Sequence, residues 1–406
     1  MRTIYKVACS ILFSALLTLS IAACGGAGSG TGGNQTIVIG ATLPLSGPLA
    51  VVGPILKAAY QAAVDDANAA GGIQVNGAKA KINLVILDNT SDANLASSQA
   101  TTLYLQDNAV ALLGPFTPPL TIAVANVAER LKRPLISTTT PVEAWLAGRP
   151  SGWQYSWNIF FDENQQTNLV FQTANLTTTN KRVALFTDTE QDGVTMGKLW
   201  LQKAPQYGYT IVNHAVFPVG TTNFSSQIAA AKAANAQVLI SQMIPPDATA
   251  LWKQMKSLGY SPIVAEAEKG ASTSTWPQGL GPLAEGALIT GFWSKSLGYP
   301  GTNDLIAKAV KAGYMNGNEQ SGFVAAYSIT QVLQDAIVRA NSTDPGKLNT
   351  SIGQTDKTYT LGSIKFGSNH ADSIPALMLQ WQNKNTVQVY PQVSGVTFQA
   401  PAQGLA

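Results

Sequence analysis

The sequence predicts an α/β protein made of two doubly wound parallel-sheet lobes, with a hinge and a cleft between them. Short runs rich in Val, Ile and Leu alternate with longer stretches of helical period from Ile37 onward, which is the pattern of βαβ units. Successive runs recur at intervals of roughly 25 to 30 residues, near a minimal βαβ repeat. The chain has 406 residues, two or three times the ~100–200 of an ordinary domain, so two cores are expected rather than one.

The chain opens on Arg2 and Lys6, followed by an apolar run over residues 11–23. That run has the length of a secretory signal core and is too short for a permanent transmembrane helix. It ends Leu19-Ser20-Ile21-Ala22-Ala23-Cys24, and small residues immediately before a cysteine resemble the bacterial lipobox. The expectation is a signal peptide over 1–23, lipidation at Cys24, and a Gly/Ser/Thr tether over 24–36 that holds a globular body off a membrane surface. Cys9 would leave with the signal and Cys24 would be acylated, so the exported body has no disulfide and depends on its core. No later segment reaches ~18 consecutive apolar residues, and no transmembrane helix is expected in it.

Within the body, strands are expected at 37–43, 82–87, 109–114 and 134–137, then at 182–187, 209–217, 237–242, 263–265 and 287–291. Each is short and rich in aliphatic residues. Residues 55–69 read as a helix because Ile55, Ala58, Ala59, Ala62 and Ala69 share a face and Gly71-Gly72 supplies the stop. The division between lobes falls near 151–162, where Gly152, Trp153, Tyr155, Trp157 and Asn158 interrupt the pattern. Beyond Gly291 come helices at 303–312 and 320–340, then strand-like pieces around Ile364 and at 378–381. Composition leaves open which lobe these complete.

Composition excludes several classes of function. Charged residues are 12% of the chain, half the ~25% usual in soluble proteins, while 45% is apolar, which excludes a disordered chain. The net charge is +3, and loss of Arg2 and Lys6 with the signal removes two of those charges. No basic stripe remains to neutralise phosphates, so no nucleic-acid partner is expected. Gly28-Ser29-Gly30-Thr31-Gly32-Gly33 has the letters of G-x-G-x-x-G but precedes the first strand instead of following one, and reads as tether. There is no G-x-x-x-x-G-K-[ST] phosphate loop. His214 and His370 are the two histidines, and neither has a partner at metal-ligand spacing. No G-x-S-x-G elbow is present; Gly193-Val194-Thr195-Met196-Gly197 is a threonine look-alike within a helix. The sequence therefore predicts no enzyme, no catalytic residue, no metal and no cofactor.

Ligands of open α/β sheets bind outside the carboxyl ends of the strands, so the loops after each strand are where function is sought. The first lobe offers Ser46 in Pro44-Leu45-Ser46-Gly47-Pro48, Thr117 in Pro115-Phe116-Thr117-Pro118-Pro119, and Thr138, Thr139 and Thr140 before Pro141. Hydroxyls and backbone N–H groups at helix starts favour a carboxylate or another acceptor-rich group; helix capping is the competing reading for each hydroxyl. The second lobe offers Asp188, Glu190 and Asp192 after its first strand, and Glu266 and Glu268 after its fourth. A ligand with an acceptor end and a cationic end would match both walls. Trp145, Trp157, Trp276 and Trp293 are further candidates for pocket walls, although a tryptophan is more often core.

Five pieces together resemble the type I periplasmic solute-binding proteins, specifically the leucine/isoleucine/valine-binding family that serves ABC importers. They are Ile39-Gly40-Ala41-Thr42-Leu43-Pro44-Leu45-Ser46-Gly47-Pro48, Ala69-Ala70-Gly71-Gly72-Ile73, Leu113-Gly114-Pro115, Arg133-Pro134-Leu135-Ile136-Ser137 and Ala284-Glu285-Gly286. The resemblance runs from Ile37 to about Pro391. It implies two lobes joined by three crossovers, with lobe 1 over 37–158 plus about 288–370 and lobe 2 over about 159–287 plus about 371–395. It also implies that a ligand carboxylate would be held near Thr117-Pro118 and Thr138-Thr139-Thr140, and an ammonium at Glu268, while aromatic contacts of the family fall at Asp192 and Val52. Two departures stand out. Pro118 and Pro119 lack the N–H that would face an anion, and Asp192 puts an acid where the family often has an apolar wall, which points to a ligand of extra positive or donor character.

The expected function is that of a monomeric, lipid-anchored solute-binding protein on the outer side of a bacterial membrane. It would capture a small polar solute (an amino acid, amide or related amine) by hinge closure and present it to ABC permease and ATPase subunits. The alternative is a sensory lipoprotein that uses the same fold to signal to a membrane partner.

Overall fold

The structure, a computed structural model, describes residues 35–406; the expected signal, the lipidated Cys24 and nearly all of the tether lie outside the described residues. The chain begins with β1 (Gln35–Leu43), β2 (Ile73–Val75), β3 (Ala78–Asp88), β4 (Ala111–Leu113), β5 (Leu135–Thr138) and β6 (Ser156–Phe160). Next come β7 (Arg182–Asp188), β8 (Thr210–Phe217), β9 (Val238–Gln242), β10 (Val264–Ala265) and β11 (Leu288–Gly291). It closes with β12 (Asp356–Tyr359), β13 (Gly362–Lys365), β14 (Ala371–Ser373), β15 (Leu377–Gln382) and β16 (Asn385–Tyr390). The first sheet has the order β14-β6-β5-β4-β1-β3-β2 and is parallel except for the β2–β3 hairpin. The second, β10-β9-β7-β8, is parallel throughout. The α/β architecture with two parallel-sheet lobes is the one observed.

Alternate residues of these strands feed opposite faces, as the period of two requires. Leu113 and Ile136 enter one apolar cluster and their neighbours Leu112 and Leu135 another. In the second sheet Val183, Leu185 and Ile240 face one way, and Ala184, Phe186 and Leu239 the other. Both sheets are thus covered on two faces, which is why their strands read as nearly continuous apolar runs. The helix Gly53–Ala69 packs along the long helix Gly317–Ala340. Its first residue must be glycine, because a Cβ on Gly53 would meet the Pro44 carbonyl oxygen at 2.1 Å.

Three boundaries differ from expectation. The segment expected to divide the lobes contains β6, a fully buried strand of the first sheet paired with β5; its Ser, Trp and Asn hide it from an aliphatic pattern. β14 pairs in parallel with β6, so the first sheet continues past residue 370. β11, expected to open a first-lobe segment at 288, instead pairs antiparallel with β15, which pairs with β16. A parallel bridge from Leu288 to Glu266 ties this three-stranded antiparallel sheet to the end of β10. The piece around Ile364 is half of a separate hairpin, β12–β13.

Candidate ligand-binding site

Each parallel sheet has a point where the chain reverses its direction of winding: at β1, flanked by β3 and β4, and at β7, flanked by β8 and β9. Loops diverge at such points and leave a crevice at the carboxyl ends. In this molecule the loops after β1, β4, β5 and β6 meet those after β7, β9 and β10 around a cavity of about 750 Å³ that is partly open to solvent. Ile244, in the turn after β9, is buried in the first sheet's apolar cluster with Leu49, Val52 and Leu120. The helix Gln191–Lys203 touches the helices Pro118–Leu131 and Val142–Ala147. The two walls are therefore in contact beside the cavity.

Of the residues expected at the site, Thr117, Thr139, Asp192 and Glu268 line the cavity, as does Val52. Ser46, Thr138 and Thr140 do not. The Ser46 N–H donates to Asp88 Oδ1 at 3.1 Å and its carbonyl accepts from Ser91 Oγ at 2.8 Å, which turns that loop toward the end of β3. Thr139 lies at φ 60°, and this left-handed kink brings one residue of the threonine run to the wall while its neighbours stay inside, both fully buried. The Asn158 side-chain amide holds the Thr140 carbonyl at 2.8 Å. Thr117 is the N-cap of its helix yet makes no side-chain cap bond, with φ 70°, so capping does not account for its hydroxyl. The four candidate tryptophans are core. Trp145 stacks on Trp153 at 4.3 Å and Trp157 on His370 at 3.7 Å. Trp276 and Trp293 donate to the carbonyls of Ala284 and Thr360.

The acidic loop after β7 is closed on itself by a cation. The Lys269 ammonium lies 2.9 Å from Asp192 Oδ2 and 3.9 Å from Asp188 Oδ2, and pairs with Glu190 as well. Burial opposes the ammonium, but the three carboxylates outweigh it and hold its pKa above the ordinary value. Asp188 is pushed up to about 7 by burial, with Asp192 and Glu190 adding to the effect and Lys269 opposing it. Gly193 permits this geometry: a Cβ there would stand 2.3 Å from Asp188 Oδ1.

Glu268, 2% exposed, accepts from Thr290 Oγ1 at 2.6 Å. Burial raises its pKa, and the neighbouring Glu266 and the Thr290 hydrogen bond counter the rise. Its backbone sits at φ 36°, a conformation costly for a side chain with a Cβ and one that clusters at functional sites. Glu266, fully buried beside it, is pushed well up by burial and by the Glu268 charge.

The model of the periplasmic binding protein family matches residues 36–385. This chain belongs to that family. Among curated relatives, the Leu/Ile/Val-binding protein homolog 8 of Brucella abortus (strain 2308) is 24% identical over 390 residues, covering 89% of this chain and 92% of that protein. Among solved structures, the leucine-binding protein LivK of Thermotoga maritima superposes with a TM-score of 0.76 at 23% identity, over 87% of this chain and 97% of that one. The isoleucine-bound LivJ of Streptococcus pneumoniae gives 0.77 at 23%, over 87% and 100%.

This periplasmic binding protein also brings to its cavity residues that the sequence reading passed over. Lys269 follows Glu268 directly, and an acidic strand-end pattern does not mark it. Gln242 ends β9 and obeys the same strand-end rule as the residues that were singled out. Gln166 lies in the first turn and a half of the helix Glu163–Ala174, after the unrecognised β6. Asn318 comes from the start of the helix Gly317–Ala340, and no local pattern marks it. Phe160, Phe161 and Phe292 form an aromatic wall, with Phe160 centred 4.1 Å from Phe161 and 4.7 Å from Phe292.

Proposed function

We propose that the protein is the solute-binding component of an ABC importer, exported and held to the membrane by lipid on Cys24, and that it captures a small polar solute of the amino acid, amide or amine class. The observation that carries this reading is the cavity itself. It lies between two parallel sheets at their carboxyl ends, and is lined from both sides by buried polar groups and an aromatic wall. A solute that touches both walls has differential affinity for the closed arrangement and so drives closure. One lobe comprises β1 to β6 with β14, and the other β7 to β11 with β15 and β16. The closed form is what a permease would recognise, and the protein performs no chemistry of its own.

The test is a thermal-shift screen of the mature chain against amino acids, amides, amines, ureas and aromatic acids, with hits confirmed by calorimetry. A solute at a hundred times its dissociation constant adds about 2.7 kcal/mol to stability. No stabilisation by any member of the panel would sink the solute-binding reading. Cys24→Ser, expressed in a bacterial host, is expected to move the protein from the membrane fraction to the aqueous one; persistence in the membrane fraction would refute the anchor.

A further inference from the structure

Resting on the solute-binding reading, we propose that the solute is an organic cation bearing several N–H donors on an apolar body, an amine or guanidine without a carboxylate. The polar groups of the cavity are almost all acceptors. Gln242 donates its amide nitrogen to Asp192 Oδ2, and Asn318 donates its own to the Ser272 carbonyl at 2.7 Å. In each case the partner is an acceptor, so the amide cannot be turned round without setting oxygen against oxygen. Their opposite ends, Gln242 Oε1 and Asn318 Oδ1, are buried and have no hydrogen-bond partner among the described residues, and neither have Gln166 Oε1 and Asp192 Oδ1. All four residues are more than nine-tenths buried. Buried acceptors left this way are costly unless a ligand satisfies them.

Donors for an anion are scarce. Lys269 donates to Glu190 and Asp192 and lies 3.9 Å from Asp188, so its charge is already met by three carboxylates. Pro118 and Pro119 begin one helix facing the cavity and Pro141 caps another, so these places have no N–H to offer. Val142, the next residue, donates to the Phe161 carbonyl at 3.1 Å. The hydroxyls of Thr117 and Ser272, buried and without a partner among the described residues, can serve either role. The acidic side chains that line the cavity, Asp192 and Glu268, outnumber the single ammonium of Lys269, which is itself held by Glu190 and Asp192. The phenylalanine wall adds favourable faces for a cation and contact area for its apolar body.

The experiment is calorimetric titration of the mature chain with matched pairs that differ only by a carboxylate: phenethylamine against phenylalanine, 3-methylbutylamine against leucine, and agmatine against arginine. The expected result is that in at least one pair the amine binds at least tenfold more tightly than its amino acid. Gln166→Met, which removes one free acceptor at similar volume, is expected to weaken that amine at least fivefold. Asp192→Asn is expected to weaken it more, and Gln166→Met remains the test if that variant misfolds. An amino acid that binds as tightly as its amine overturns the proposal while leaving the solute-binding reading intact. Binding by none of the six also overturns it, and the broader thermal-shift panel then decides the solute-binding reading separately.

Discussion

Replacing Lys269 by methionine removes a charge while keeping an unbranched chain of similar volume, and so isolates what the ammonium does. In the folded protein it touches three carboxylates, two of them with side chains 0% and 4% exposed. Breaking a buried ion pair from one side costs about 3–5 kcal/mol, because the opposite charge stays buried without compensation. Asp188 can relieve this by taking up a proton. Asp188 is already pushed up to about 7 by burial despite the opposing Lys269, and it rises further once that cation is gone. An acid with a folded pKa above its unfolded value of ~3.9 binds more protons when folded, so its effect is to lower stability as pH rises from about 4 through the folded pKa. Lys269 has a raised pKa and keeps its charge throughout this range, so Asp188 sets the slope. In Lys269→Met the window of loss extends above pH 7. Urea unfolding followed by tryptophan fluorescence should show a deficit of about 3–5 kcal/mol at pH 8, shrinking by at least ~1.4 kcal/mol at pH 5, which is a tenfold change in the folding constant. A deficit below ~1 kcal/mol at pH 8, or one equal at the two pH values, would refute the buried-clamp account.

Other consequences are equally open to measurement. Glu163 is buried, its carboxylate has no hydrogen-bond partner among the described residues, and burial with the nearby Glu143 and Asp192 pushes it up to about 9. Its folded pKa exceeds its unfolded one, so Glu163→Met should gain about 1–3 kcal/mol at pH 8 and little at pH 5 in urea titrations, and an unchanged pH profile would count against this. Glu268→Gln should weaken a cationic solute by more than tenfold, ~1.4 kcal/mol, in calorimetry, with unliganded stability nearly constant; equal affinity would remove Glu268 from the site. Ile244→Ala takes away an apolar contact made across the cleft, so solute affinity should fall about tenfold while the unliganded melting temperature moves by only a few degrees. A large drop in that temperature with affinity intact would make Ile244 ordinary core.

The fold was legible because its strands are buried on both faces. Runs such as Val183 to Phe186 carry an apolar residue at every position, and the helices between them supply the spacing, so local composition alone reveals the alternation. β6 escaped because Ser156, Trp157 and Asn158 are satisfied by tertiary partners: Ser137 Oγ donates to Asn158 Oδ1 and Trp157 donates to Asn349. The edge assignments of β11 and β14 depend on pairing between segments about 90 and 210 residues apart in sequence, and no local pattern encodes a partner so remote. At the site, the acids after β7 and β10 were readable from the strand-end rule. The lysine that neutralises one group of them, and the φ values that admit Thr139 but not Thr138 or Thr140, were not.

Residue order by itself determined the α/β class, the two sheets, the strand ends where a ligand would lie, and the prolines that withhold N–H groups there. These are properties of short segments, set by periodicity and by the chemistry of single residues. Only the tertiary structure decided which polar atoms face the cavity with their hydrogen bonds already spent. Gln242 and Asn318 each have an amide with a donor end and an acceptor end, and which end remains for a ligand is settled by the neighbour that holds the other. That neighbour is brought by a different segment of the chain, so the polarity of the pocket is a property of the packed molecule and of no single segment.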